Sequence, residues 1–172
     1  TGNTVTQPVG TTGANGQITG SFSSTTAESK TVTATINGTA VVDNAVVVVN
    51  PGGVSASQSL LGVSTSTITA GGAGSLVTVT AKDASGNPIS GATVVLSATN
   101  GGNFTAHGTT NPSGVTTSTF TSTVAGGHNI TATINGVSIT ANATVTVNAA
   151  APANIAIQAG DGQSTTAGTA VS

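Results

Sequence analysis

The sequence predicts an all-β chain of antiparallel Greek-key β-sandwich repeats in tandem, and three observations point there. Residues 10–50 recur at 108–148, 98 positions further on without a gap, and 20 of the 41 paired residues are identical. Apolar and polar residues alternate with period two along several runs, as in strands with one buried face, and helical periodicity appears nowhere. Groups of Gly, Asn, Pro and Ser punctuate those runs closely enough to fit about seven strands into one period, the density of a two-sheet sandwich.

The period sets the organisation. Helical and leucine-rich solenoids repeat every 20–50 residues or so, whereas 98 residues suits a series of independently folded units. On this reading 1–50 is the C-terminal half of a preceding repeat, 51–149 is one complete repeat and 150–172 opens a following one. Thr166-Ala167-Gly168 echoes Thr69-Ala70-Gly71 near the same phase. The 51–149 unit is expected to fold alone, whereas 1–50 lacks the strands that would cover its apolar faces.

Within the complete repeat, a first strand or broken pair is expected across Val54–Ile68, followed by Leu76–Ala81 with Val77 and Val79 facing the core. Asp83, Gly86, Asn87 and Pro88 then form a turn into Ala92–Ala98, whose inward residues include Val94 and Leu96. A short strand near Asn103–Ala106 precedes the turn Asn111–Gly114 and the strand Val115–Ser122, where Phe120 is the largest side chain and Phe22 its counterpart in the earlier copy. His128–Ile134 places Ile130 and Ile134 inward, and Val137–Val147 does the same for Val145 and Val147. Asn135-Gly136 joins these two strands, as Asn37-Gly38 does in the earlier copy, because a type I′ hairpin turn needs φ > 0 at both central residues.

Composition excludes several functions. Charged residues make up 3% of the chain against the usual ~25%, and with Lys30 and Lys82 as the only basic side chains the electrostatic attraction that dominates nucleic-acid binding is missing. No apolar run is long enough to span a membrane. With no cysteine there are no disulfides or thiolate zinc sites, which suits repeats that cross an envelope unfolded.

The few chemically capable residues point to structure. Asp83, entering Ala-Ser-Gly-Asn-Pro, is expected to accept backbone hydrogen bonds and fix the turn. Asp43, Asp83, Asp161 and Glu28 fall in different phases of the repeat, so no calcium cage and no other metal site is expected. His107 and His128 correspond to Val9 and Lys30 and read as solvent-exposed strand-end residues. No nucleophile elbow or Ser-His-Asp set is visible, so no catalytic residue and no cofactor is assigned. Phe104 alone is a poor stacking platform for a sugar. In the last strand of the earlier copy, Asp43 falls where Ala141 points inward, and Val42, Val46 and Val48 hold the phases of Thr140, Thr144 and Thr146. Either a β-bulge shifts the register there or the strand has apolar cover on both faces, packed against a neighbouring element.

The stretches VTVTAKDASGNPISGATVVLSATNGG (Val77–Gly102) and NPSGVTTSTFTSTVAGGHNITATING (Asn111–Gly136) resemble the group 1 bacterial immunoglobulin-like domain, the Big-1 repeat of invasin- and intimin-type surface proteins. The resemblance covers about Val54–Val147, and the family's Lys-Asp, Gly-Asn-Pro, hydrophobic and Gly pattern falls on Lys82, Asp83, Gly86, Asn87, Pro88, Ile89 and Gly91. It implies an immunoglobulin-like fold and a non-catalytic stalk that holds a binding tip away from an outer-membrane anchor, on the bacterial cell surface or secreted. The implied partners are neighbouring repeats of the same chain and, through a domain outside these residues, a host or cell-surface receptor. The alternative is an accessory ligand- or carbohydrate-binding domain of a secreted enzyme, phage tail or surface-layer protein.

Overall fold

A computed structural model describes residues 2–153 and 166–168, so most of the 150–172 segment expected to open a further repeat lies outside the described residues. Every described regular element is a strand. The central part folds into two four-stranded sheets. One has the order β10 (Val94–Ala98), β13 (Gly126–Ile134), β14 (Val137–Asn148), β8 (Thr67–Thr69). The other has the order β11 (Asn103–Phe104), β12 (Val115–Thr121), β9 (Ser75–Thr80), β7 (Leu60–Val63). All their pairings are antiparallel except that of β8 with β14, where Ile68 lies opposite Val147 in a parallel ladder. The region 54–68 is thus a broken pair: β7 joins one sheet, Ser64–Ser66 cross over, and β8 joins the other.

The alternation seen in the sequence fills the space between the sheets. Val79, Ala81, Ala92, Val94, Ala132, Ile134 and Ile139 make one buried cluster, and Ile68, Val77, Phe120, Ile130, Val145 and Val147 make a second. Leu61 and Leu96 touch both. Leu96 is half-buried because it sits on the edge strand β10. In a core this poor in aromatics, hydroxyls occupy buried sites and bond to carbonyls: Ser75 Oγ donates to Thr65 O at 2.7 Å and Ser118 Oγ to Thr105 O at 2.7 Å. No buried side-chain polar atom among the described residues lacks a partner, so hydrogen bonds offset the cost of taking these groups out of water.

The hairpin turns have the geometry their residues favour. Asn135 and Gly136 take φ of 48° and 82°, and Asn37 and Gly38 take 50° and 81°. Asn135 also closes the end of the sheet, since its N–H donates to Thr93 O at 2.9 Å and its Oδ1 accepts the Thr93 N–H at 2.8 Å.

Segment 2–50 carries six short strands in three two-stranded ladders: β1 (Asn3–Thr6) with β2 (Ser21–Ser24), β3 (Ser29–Val32) with β6 (Ala45–Val48), and β4 (Thr35–Ile36) with β5 (Thr39–Ala40). Three differences from expectation appear here. Phe22 is not a core residue: it is half-buried opposite Val5, while its counterpart Phe120 is fully buried, because no second sheet covers the β1–β2 ladder among the described residues. The last strand is broken between Ala40 and Ala45, which leaves Asp43 outside the ladder and Val42 exposed. Register resumes with Val47 opposite Lys30, as Val145 lies opposite His128, so Val46 and Val48 face outward at 65% exposure, with no cover among the described residues.

Candidate functional site: a turn that grips the preceding segment

The sandwich meets segment 2–50 at the turn after β9. Gly86, at φ 86°, allows the chain to double back so that the Asp83 N–H donates to Asn87 O at 3.0 Å and the Gly86 N–H to Asp83 O at 3.1 Å. Lys82 bridges Pro88 across the base of the turn. The Asp83 carboxylate lies inside it. Oδ1 accepts the N–H groups of Ser85 (2.9 Å) and Asn87 (2.8 Å), and Oδ2 accepts the Gly52 N–H (2.9 Å) and Asn87 Nδ2 (2.8 Å). These four donors match the roughly four lone-pair sites of a carboxylate. Burial pushes the carboxyl up, but hydrogen bonds from the Asn87 side chain and the backbone of Gly52, Asn87 and Ser85 outweigh it and hold the group below the ordinary Asp value.

Asn87 passes this order outward. Its Oδ1 accepts the Ala27 N–H at 3.0 Å and its Nδ2 donates to Thr25 O at 2.9 Å, while the same Nδ2 is shared with Asp83. The receiving loop between β2 and β3 is pre-shaped, because Ser24 Oγ accepts the Thr26 N–H at 3.1 Å and donates to Thr26 O at 3.2 Å. One side-chain amide therefore ties two backbone groups of the segment to a turn of the sandwich, and Gly52 ties the connection between them to the same carboxylate.

Two shallow clefts flank the contact. One, of about 310 Å³, is lined by Thr25, Asn50, Gly53, Asp83 and Ser85; the other, of about 370 Å³, by Ala27, Pro51, Pro88, Ile89 and Pro112. Both straddle the junction, and neither collects titratable groups beyond Asp83. Among the described residues no group of three or more His, Asp or Glu side chains is placed to hold a metal.

Of the residues singled out in the sequence, the junction brings together Asp83, Gly86, Asn87 and Pro88. Asn135 and Gly136 serve the β13–β14 hairpin, and Asn37 and Gly38 the β4–β5 hairpin. Thr25, Ala27 and Gly52 were not legible as site residues because they contribute main-chain atoms. The one available signal was the Ser-Thr-x-Ala tetrad shared by Ser24–Ala27 and Ser122–Ala125.

The histidines differ from expectation. His128 is fully buried, its ring stacked at a tilt 5.4 Å from Phe120, with Nδ1 at 2.9 Å from Thr99 O and 3.0 Å from Gly101 O, and Nε2 at 2.9 Å from Val124 O. Its ring ties together the two loops at that end of the sandwich. His107 is half-buried and reaches Val94 O on the edge strand at 3.0 Å. Strand-end position does not imply exposure where loops fold back over the sheet. Phe104 packs 5.2 Å from Phe120 rather than standing free.

The sequence model for the bacterial Ig-like domain (group 1) matches residues 58–148, more than half of the chain. Among solved structures, Yersinia pseudotuberculosis InvD aligns with 91% of the chain at 25% identity and a TM-score of 0.68. The Escherichia coli adhesin FdeC aligns with 85% at 28% identity and a TM-score of 0.64. Invasin, described as a bacterial integrin-binding protein, aligns with 86% at 26% identity and a TM-score of 0.55. The chain spans about half the length of the first two, 48% of each, and 32% of invasin. No curated protein sequence matches.

Proposed function

Because the chain belongs to the bacterial Ig-like domain (group 1) family, we propose that it is a non-catalytic stalk segment of a bacterial surface adhesin, whose work is to transmit position and stiffness between neighbouring units. The carrying observation is the Asn87 amide bonded to both Thr25 O and Ala27 N while anchored on Asp83. A flexible linker would leave these groups to water. Here the connection Asn50–Gly53 is short, Pro51 restricts its backbone, and Gly52 is held by the same carboxylate. Likeness to InvD, FdeC and invasin supports an extracellular, cell-surface setting. In this reading, receptor contact, which invasin makes with integrins, belongs to a domain outside these residues, and 1–50 and 51–149 are successive repeats.

The test is a distance distribution by pulsed electron paramagnetic resonance between spin labels at exposed Thr39 and exposed Thr131 of the full chain. A narrow distribution that broadens in Asp83→Ala supports a stiff joint. A broad distribution in the unaltered chain, or specific glycan binding by it, sinks the stalk reading.

A further inference from the structure

The loop Ser122–Ala125, at the end of the sandwich bearing the β12–β13 turn, is built like the loop that Asn87 grips. It lies 98 residues after Ser24–Ala27, shares Ser, Thr and Ala at first, second and fourth positions, and joins the corresponding strands. The internal geometry is shared as well. Ser122 Oγ accepts the Val124 N–H at 3.0 Å and donates to Val124 O at 3.4 Å, reproducing the 3.1 Å and 3.2 Å bonds of Ser24 with Thr26. In both copies the turn's own bonds and the strand ladders leave out the carbonyl of the second residue and the N–H of the fourth. In the first copy these are Thr25 O and Ala27 N, which Asn87 occupies. In the second they are Thr123 O and Ala125 N, on exposed residues with no hydrogen bond among the described residues.

The connection corresponds too. Gly52, whose N–H meets Asp83, aligns with Ala150. A Cβ built on Gly52 lies 3.7 Å from both the Cβ and Oδ2 of Asp83, an ordinary contact, so alanine keeps the donor without a clash.

We infer that Thr123 O and Ala125 N form a docking site for a side-chain carboxamide, and that its occupant is the asparagine of an Asp-x-x-x-Asn-Pro turn on a following copy of this unit, whose aspartate takes the Ala150 N–H. The inference rests on the tandem-stalk reading and extends it: each unit is two-ended, presenting a carboxamide at one end and its receptor at the other.

The experiment is amide hydrogen exchange on the full chain with residues 53–150 duplicated in tandem after Ala150, which keeps Ala149-Ala150 at the new joint. The Ala125 amide of the first copy is expected to slow at least tenfold relative to the original chain, toward the rate of Ala27, while Ala125 of the second copy stays fast. Asn87→Ala in the second copy alone returns the first-copy Ala125 to its original rate. If first-copy Ala125 exchanges unchanged while Ala27 remains slow, the docking inference is overturned and the stalk reading stands. If Ala27 is fast as well, the grip itself is absent and the stalk reading falls with it. A duplicated chain whose second copy leaves Ile134 unprotected also overturns the inference, because the joint is claimed to need only residues already present.

Discussion

Truncating Asn87 to alanine isolates the joint from the fold. The change removes two hydrogen bonds that cross to the preceding segment, from Ala27 N at 3.0 Å and to Thr25 O at 2.9 Å, and one to the Asp83 carboxylate at 2.8 Å. A typical intramolecular hydrogen bond contributes about 1 kcal/mol net, and the partial exposure of these two trims that, so the joint should weaken by about 1–2 kcal/mol. Since 1.4 kcal/mol is tenfold in an equilibrium, the opening that exposes the Ala27 amide becomes roughly 5- to 30-fold more frequent. Amide exchange read residue by residue measures it. Ala27 should speed up by that factor, and Gly52 by less because Asp83 Oδ2 still accepts its N–H. Ile130, in the cluster around Phe120 and not in that of Ala81 and Ile89 beside the turn, should change least. If Ala27 exchanges equally fast in both proteins, the side-chain amide does not hold the joint and the physical basis of the stiffness argument is wrong.

Acid should act on the same joint through Asp83. Its carboxyl is held below the ordinary value on folding, so its contribution is fully present above about pH 4, the unfolded value, and is lost as pH falls through the lower folded one; a chain whose Gly52 and Ala27 amides keep their protection at pH 2 contradicts this. Salt should matter little, because the joint consists of short hydrogen bonds within a partly buried turn; raising NaCl from 0.05 to 1 M is expected to change Ala27 exchange less than about twofold. The two matched phenylalanines should part company in urea unfolding: Phe120→Ala, in a fully buried site, costs about 3–5 kcal/mol, and Phe22→Ala, half-exposed on a two-stranded ladder, costs under about 1.5 kcal/mol. Equal effects would show that Phe22 is covered as fully as Phe120. His128→Leu keeps the volume but removes the ring nitrogens that lie within hydrogen-bond distance of the Thr99, Gly101 and Val124 carbonyls, and should cost about 2–3 kcal/mol in the same assay; a neutral result would mean that the two loops are held without the ring.

What the sequence disclosed follows from which atoms do the work. Period-two alternation reports side chains directly, so the inward faces of β9, β13 and β14 could be read off Val77, Val79, Ile130, Ile134, Val145 and Val147, and the Asn-Gly pairs announced backbone at positive φ. Asp83 could be placed in its turn because its partners lie within four residues, save Gly52. The parallel pairing of β8 with β14 left no trace, since it joins residues some eighty positions apart through main-chain atoms. His128 misled because a polar residue beside Gly126-Gly127 looks like a strand end in water, and only the folded loops 99–101 and 122–124 supply the carbonyls that let it be buried.

The same distinction bears on how such a chain can be extended. A joint made by matching side chains on both partners would need coordinated changes whenever either unit diverged. Here one partner contributes only backbone, shaped by a serine that bonds two residues ahead, and the other contributes a single Asp–Asn pair within a self-supporting turn. The two segments agree in this loop while differing elsewhere: buried Lys30, paired with Glu28, stands where buried His128 stands in the other, and outward Val46 and Val48 stand where Thr144 and Thr146 do. A backbone receptor tolerates that drift, because the turn needs the serine hydroxyl and main-chain N–H groups that every residue but proline supplies. Under the stalk proposal, surface chemistry can then vary from unit to unit while the joint is preserved.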